Sequence, residues 1–260
     1  MRLRQMRKFL SNLLYVVGER KLWLTTLGRT GRQYIFLVRS GTFFEAGKPN
    51  LLIAGGFHGE EIAGPWAILK WLETAPDSYF EKANLSFLPC VNPVGFNRGT
   101  RYARVGEKTN CGFCRPEIKD RLSVEGRILM ENLELLAVSA KDGFMSLHED
   151  DTAHEFYIYS YNNFNGGKYF AKEMRDEEAT YFERMKNGTP VNENHDPMAV
   201  VEDGIIYNHH DGSFEDMLVR RNIAVRAIVT ETPAQGIALD KRVEAGAALI
   251  SKFINLSVGK

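Results

Sequence analysis

The chain is poor in cysteine, with only Cys90, Cys111 and Cys114 in 260 residues. So sparse and odd a set excludes a disulfide framework and points to a reducing compartment, by default the cytoplasm. An excess of either charge is also missing, because 33 Lys and Arg balance 33 Asp and Glu. No overall field therefore draws the protein to nucleic acid or to an anionic membrane, and a partner has to be recognised locally, in a site. No apolar stretch approaches the ~18 residues that a membrane-spanning helix needs. The basic start continues into the apolar run FLSNLLYVV, which is short, is interrupted by Ser11-Asn12 and lacks a small-residue cleavage site. It is read as an amphipathic helical extension over residues 1–20 that packs on the body, not as a signal peptide. A P-loop, a dinucleotide fingerprint and a Ser-centred nucleophile elbow are absent as well, which leaves phosphate and serine chemistry unsupported.

What is present suffices for one sizeable core, since 44% of the residues are hydrophobic and 11% aromatic. With no repeat, low-complexity tract or linker, residues 1–260 are expected to form a single domain. Strands are predicted around 21–28, 33–40, 50–56, 85–92, 143–150 and 222–233, from clusters of β-branched and aromatic residues between turn signals. Helices are predicted over 62–75, 120–141, 167–186 and 240–255, with a long Gly- and Arg-rich loop reaching to about 117. The polar stretch 163–203, punctuated by NGGK, NGTP and NENHDP, reads mainly as loops. This alternation implies an α/β fold of three layers, α/β/α, around a mixed, mostly parallel sheet. Ligand sites in such folds gather beyond the carboxyl ends of the strands.

Chemistry-bearing residues fall at those ends. His58 and Glu61, in GGFHGEE, are spaced so that both can face one ion from a tight turn, and Gly55, Gly56 and Gly59 leave the backbone room there. The spacing alone is weak, and a surface turn explains it as well. His148 ends the apolar strand GFMSLHED, where a satisfied polar terminus is the plain alternative. Together the three residues make a ligand set for one zinc ion with a position left for water. Asp150 or another carboxylate would hold the second ring N–H of a ligand histidine. Glu231 in VTETP ends a third apolar strand, where it suits a general base beside the activated water, or else a capping acid.

These segments resemble the zinc metallocarboxypeptidase family. GGFHGEE is similar to its first ligand motif, SLHED to its third-ligand strand, VTETP to the strand of its catalytic glutamate, and NPVGFNRGTRYARVGEKTNCGF to its NP-x-G loop. IIYNHHDGSFED is similar to the segment with its substrate-binding tyrosine and specificity-pocket turn. The resemblance runs in unbroken order from about 50 to 235. It implies a zinc carboxypeptidase-like fold, with His58, Glu61 and His148 as metal ligands and Glu231 as base and acid. It further implies that Arg101 stabilises the oxyanion, that Asn110 holds a terminal carboxylate, that Tyr207 closes over the substrate and that Phe214 lies at the pocket floor. For Arg101 a solvated loop arginine is the alternative, for Tyr207 a strand aromatic and for Phe214 a core residue.

One departure stands out. Where the family has an Asn-Arg pair, this chain has Asn110-Cys111, and a thiol cannot make the bidentate contact of a guanidinium. Either Arg115, Arg104 or Arg98 substitutes, or the substrate presents no ordinary α-carboxylate there. SLHED and VTETP look nearer to the small bacterial branch of murein peptide amidases and N-acyl amino acid deacylases. The expected activity is therefore amide hydrolysis of a small peptide such as a muropeptide, with deacylation of an acylated amino acid as the rival and a non-catalytic binding module as a second one. One zinc ion is expected, and the carboxylate-rich mouth leaves a second open; the oligomeric state is not legible. Cys111-x-x-Cys114 lacks the partners for a structural zinc site, and His154, His195, His209 and His210 read as solvated.

Overall fold

The structure, a computed structural model, describes residues 3–113, 122–162, 167–191 and 199–259. The basic extension forms α1 (Leu3–Glu19), whose Met6, Phe9, Leu13 and Val16 recur at helical spacing and are buried. The strands β1 (Trp23–Thr30) and β2 (Gln33–Arg39) pair antiparallel, and β3 (Asn50–Gly55) leads to α2 (Ala63–Thr74). After the short α3 (Ser78–Lys82) come β4 (Asn84–Leu88) and α4 (Pro93–Arg98). Then follow α5 (Val124–Glu131), α6 (Leu133–Ala140), β5 (Gly143–Asp150), β6 (Tyr157–Asn162) and α7 (Gly167–Glu178). The chain ends with β7 (Pro190–Val191), β8 (Ala199–Val200), β9 (Ile205–Tyr207), α8 (Phe214–Arg220), β10 (Arg226–Pro233) and α9 (Leu239–Val258).

Eight strands make one mixed sheet in the order β1-β2-β4-β3-β5-β10-β6-β9, while β7 and β8 pair separately. β3, β4, β5 and β10 run parallel to one another, so their carboxyl ends lie at one edge. Side chains alternate across this sheet. Leu51, Ile53, Met145, Leu147 and Ile228 point to the face covered by α1, α2, α7 and α9. Leu52, Ala54, Phe144, Ala227 and Val229 point to the other face, covered by α5, α6 and α8. The three-layer expectation holds.

Several expectations need correction. The loop after β4 contains α4, because Asn92 caps it by accepting the Gly95 N–H, Pro93 supplies the first turn and Gly99 leaves it in the left-handed conformation at φ 66°. The single helix expected over 120–141 is two. Asn132 breaks it at φ −108°, its amide donating to Ile128 O and across to Leu27 O. α7 stops at Glu178, short of 186, because the following chain turns to pair with Phe156, whose N–H donates to Glu183 O and whose carbonyl accepts from Met185 N. The strand β6 and the helix α8 were not foreseen, whereas β9 realises the strand-aromatic alternative for Tyr207. The NENHDP segment lies outside the described residues.

One buried acid costs stability in a pH-dependent way. Glu178 is fully buried, and its described partner is the Thr232 hydroxyl, which donates to Oε1 at 2.9 Å. Burial pushes its carboxyl up to about 8, against roughly 4.3 in an unfolded chain. The folded protein thus keeps a proton that the unfolded chain releases. Its contribution is fully present below about pH 4 and is lost as pH rises through 8. Glu178→Gln is expected to melt above the wild type at pH 8 and together with it near pH 4.5, as calorimetry at the two pH values would show.

Candidate active site

Beyond the carboxyl end of β3 the backbone turns sharply to present His58 and Glu61. Gly59 permits this, because a Cβ there would lie 2.1 Å from the Gly95 carbonyl carbon of α4. His58 Nδ1 lies 2.6 Å from Glu61 Oε1, and His148 Nδ1, from β5, lies 2.9 Å from Glu61 Oε2. All three residues are buried, and one donor atom from each lies within 4.8 Å of the others. Among the described residues no other group of His, Cys, Asp and Glu closes in this way. Phe57 stacks on the His148 ring at 5.7 Å and holds its plane.

Burial works against charge throughout the trio. It lowers His58 to about 4, with Arg101 and His148 adding to the effect over the attraction of Glu61. For His148 burial is outweighed by Glu61, Glu215 and Glu231, and its pKa rises well above the usual value. Against its own burial, the two imidazoles hold Glu61 below the usual carboxylate range. Glu61 Oε2 is buried with no well-aligned hydrogen-bond donor among the described residues, although His148 Nδ1 is close. An anionic oxygen and two ring nitrogens crowded together with an unsatisfied buried acceptor fit a divalent cation of the zinc type.

Glu231 pairs in register with His148 on the neighbouring strand β10, is buried, and lines a narrow cavity of about 40 Å³ beside the trio. Arg101 is half-buried, and its Nη1 donates to Glu61 Oε1 at 3.0 Å and to Glu60 Oε1 at 3.1 Å. Its backbone is stitched to the same place, since its carbonyl accepts from Gly59 N and from Asn92 Nδ2. Asn110 also lines the cavity. Its amide oxygen accepts the Phe214 N–H, and its nitrogen donates to Glu215 Oε2, both at 2.9 Å.

Other expected residues lie elsewhere. Tyr207 does not line the cavity. Alternation along β9 sends it with Ile205 to the opposite sheet face, where Lys168 sits 5.1 Å from its ring centroid. Phe214 is wholly buried among Phe57, Phe113 and Phe144, so its core alternative is the one realised. Asp150 does not serve His148; it closes a turn by accepting from Thr152 N and Ala153 N, and it also accepts from Tyr157 OH. His209, expected in solvent, lines the cavity against Tyr159, whereas His154 and His210 are exposed. Cys111 lines the cavity. Arg115, Cys114 and His195 lie outside the described residues.

Glu215, Tyr159, Tyr161 and Asp211 are among the cavity residues that escaped the sequence reading. Glu215, buried in the first turn of α8, sets Oε1 3.7 Å from His148 Nε2, an ion pair rather than a hydrogen bond. Against burial, His148 and Asn110 keep its pKa low, and it is the carboxylate that faces the far ring nitrogen of His148. Tyr159 and Tyr161 project from β6 into the cavity, and Tyr161 OH donates to Asp211 at 3.3 Å. Burial, with Glu215 and Asp216 adding, lifts Asp211 to about 7. The strict alternation of tyrosines in YIYSYN was the signal available for this wall.

The family model for the succinylglutamate desuccinylase/aspartoacylase catalytic domain matches residues 47–121, the stretch holding His58, Glu61, Arg101 and Asn110. No curated protein matches the sequence. Among solved structures, a candidate metallopeptidase from Shewanella amazonensis is 36% identical over 98% of this chain and 94% of that chain, with a TM-score of 0.88. Another from Shewanella denitrificans is 36% identical over 99% and 92%, also with a TM-score of 0.88. Carboxypeptidase A of Helicoverpa armigera, 13% identical over 95% of this chain and 71% of that chain, shares the fold with a TM-score of 0.67. Identity sustained along almost the whole length of both Shewanella chains, on a carboxypeptidase fold, shows that this chain belongs to the zinc carboxypeptidase-like family.

Proposed function

We propose that the protein is a zinc-dependent hydrolase that cleaves an amide bond in a small peptide or an acylated amino acid. The observation that carries the reading is the burial of two imidazoles and one carboxylate within 4.8 Å of one another, next to Glu231. Zinc held by His58, Glu61 and His148 would supply Lewis acidity to a substrate carbonyl and lower the pKa of an attacking water towards ~7.

The chain's own residues supply the rest. Glu231 accepts a proton from the attacking water and passes it to the leaving amine. Arg101, always protonated and anchored through its carbonyl, offers a fixed donor to the developing oxyanion. Asn110 is held rigid by α8 and presents a polar edge to the substrate's end. With the neutral Cys111 at the cavity wall, a terminal carboxylate has to find its guanidinium elsewhere. Arg98 and Arg104 are exposed, the first donating to Ala103 O and the second paired with Glu107, and Arg115 is the third candidate in the sequence.

Muropeptides are the first substrate class to assay. The desuccinylase/aspartoacylase match over residues 47–121 favours N-acyl amino acid deacylation as the second reading. Free muropeptides set against N-succinyl and N-acetyl amino acids separate the two, with metal content measured on the same sample. Glu231→Gln is expected to keep the metal and lose turnover on whichever substrate is cleaved; retained turnover would remove Glu231 from the chemistry. Arg101→Met should lower kcat by about 10²- to 10³-fold, the usual loss of one oxyanion donor, with the metal retained. Because a cation entering the trio displaces the proton that the surrounding carboxylates hold on His148, binding should release about one proton per ion and weaken as pH falls. Calorimetric titration in buffers of different ionisation enthalpy checks this.

A further inference from the structure

Glu149 follows His148 on β5, and alternation along the strand turns its side chain to the opposite face, beneath α2 and α9. It is buried. Its Oε2 accepts the Ala63 N–H at 2.7 Å, and its Oε1 is paired with Arg242 of α9. Ala63 opens α2, the helix that leaves the His58–Glu61 loop, and Ile62 at its N-cap provides no side-chain cap. Glu149 therefore caps this helix from a different element, satisfying an orphan N–H. The contact is close, since a Cβ on Gly64 would meet Leu147 O at 2.7 Å. Packing alone would be served by an apolar residue here, and a buried ion pair is a poor means of gaining stability. What the carboxylate does achieve is a fixed link between the strand of one imidazole and the loop of the other two ligands.

We propose that Glu149, held by Arg242, is a positioning residue that sets the distance between His148 and the His58–Glu61 loop and so the affinity and geometry of the metal site. The inference rests on the functional reading above. It is tested on the whole protein by zinc affinity from chelator competition, the visible spectrum with Co²⁺ bound, and thermal melting. The variants are Glu149→Ala, Glu149→Gln and, as a control in the core of α9 away from the site, Phe253→Leu. Glu149→Ala is expected to bind zinc about 10- to 100-fold more weakly, as loss of a supporting partner generally does, and to shift the Co²⁺ bands. Glu149→Gln keeps an acceptor for Ala63 but loses the charge pair, and should fall between it and the wild type. Phe253→Leu should melt earlier with both metal readouts unchanged. Wild-type affinity and spectrum in Glu149→Ala, or in Glu149→Gln if the first does not fold, overturn the proposal, as does an equal loss in Phe253→Leu. A wild-type protein that binds no zinc overturns the functional reading and this inference with it.

Discussion

The structure depends on keeping one charged carboxylate, Glu61, out of water. An isolated carboxylate is too costly to bury and survives only where positive or polarisable groups surround it. Here His58 and His148 face its two oxygens and Arg101 donates to one of them. Those groups come from three places in the chain, so satisfying Glu61 obliges the β3 loop, the end of β5 and the loop after α4 to meet. The same crowding that solves the burial problem concentrates lone pairs at one point, and this is the property a metal site requires.

The sheet makes that meeting reproducible. Parallel β3, β4, β5 and β10 deliver their carboxyl ends to one edge, and the pairing of His148 with Glu231 places an acid beside the trio without further adjustment. Alternation then sorts the residues that follow. His148 and Glu231 face the cavity with Tyr159 and Tyr161, while Glu149 and Thr232 face the other layer, where they bind Ala63 and Glu178. Consecutive residues thus divide between chemistry and support. The loops are held by backbone contacts as much as by side chains, as the Arg101 carbonyl shows in accepting from both Gly59 and Asn92.

Legibility followed the range of the interactions. β3, β5, α2 and α9 were readable because their apolar runs and periodicity are local. His58, Glu61, His148 and Glu231 were readable because each stands at the end of such a run. Tyr207 was misplaced because the face a strand residue takes is a matter of parity, decided by β9 pairing with β6 and not by its neighbours in sequence. Glu215, and not Asp150, faces His148 for a related reason. Asp150 is captured by its own turn, two and three residues away, whereas Glu215 reaches His148 from a helix 67 positions later.

By itself, then, the sequence determined the main core strands and their flanking helices, the layer class, the residues able to hold a cation and the neutral thiol at Cys111, all properties of short stretches whose periodicity and residue chemistry act locally. Tertiary structure alone decided which carboxylate supports His148, which aromatics wall the cavity, that Phe214 belongs to the core, and that Glu149 ties β5 to α2 and α9. The physical reason is that these are contacts between residues far apart in the chain, and both a sheet register and a helix docking angle must be set before any such pair can be named.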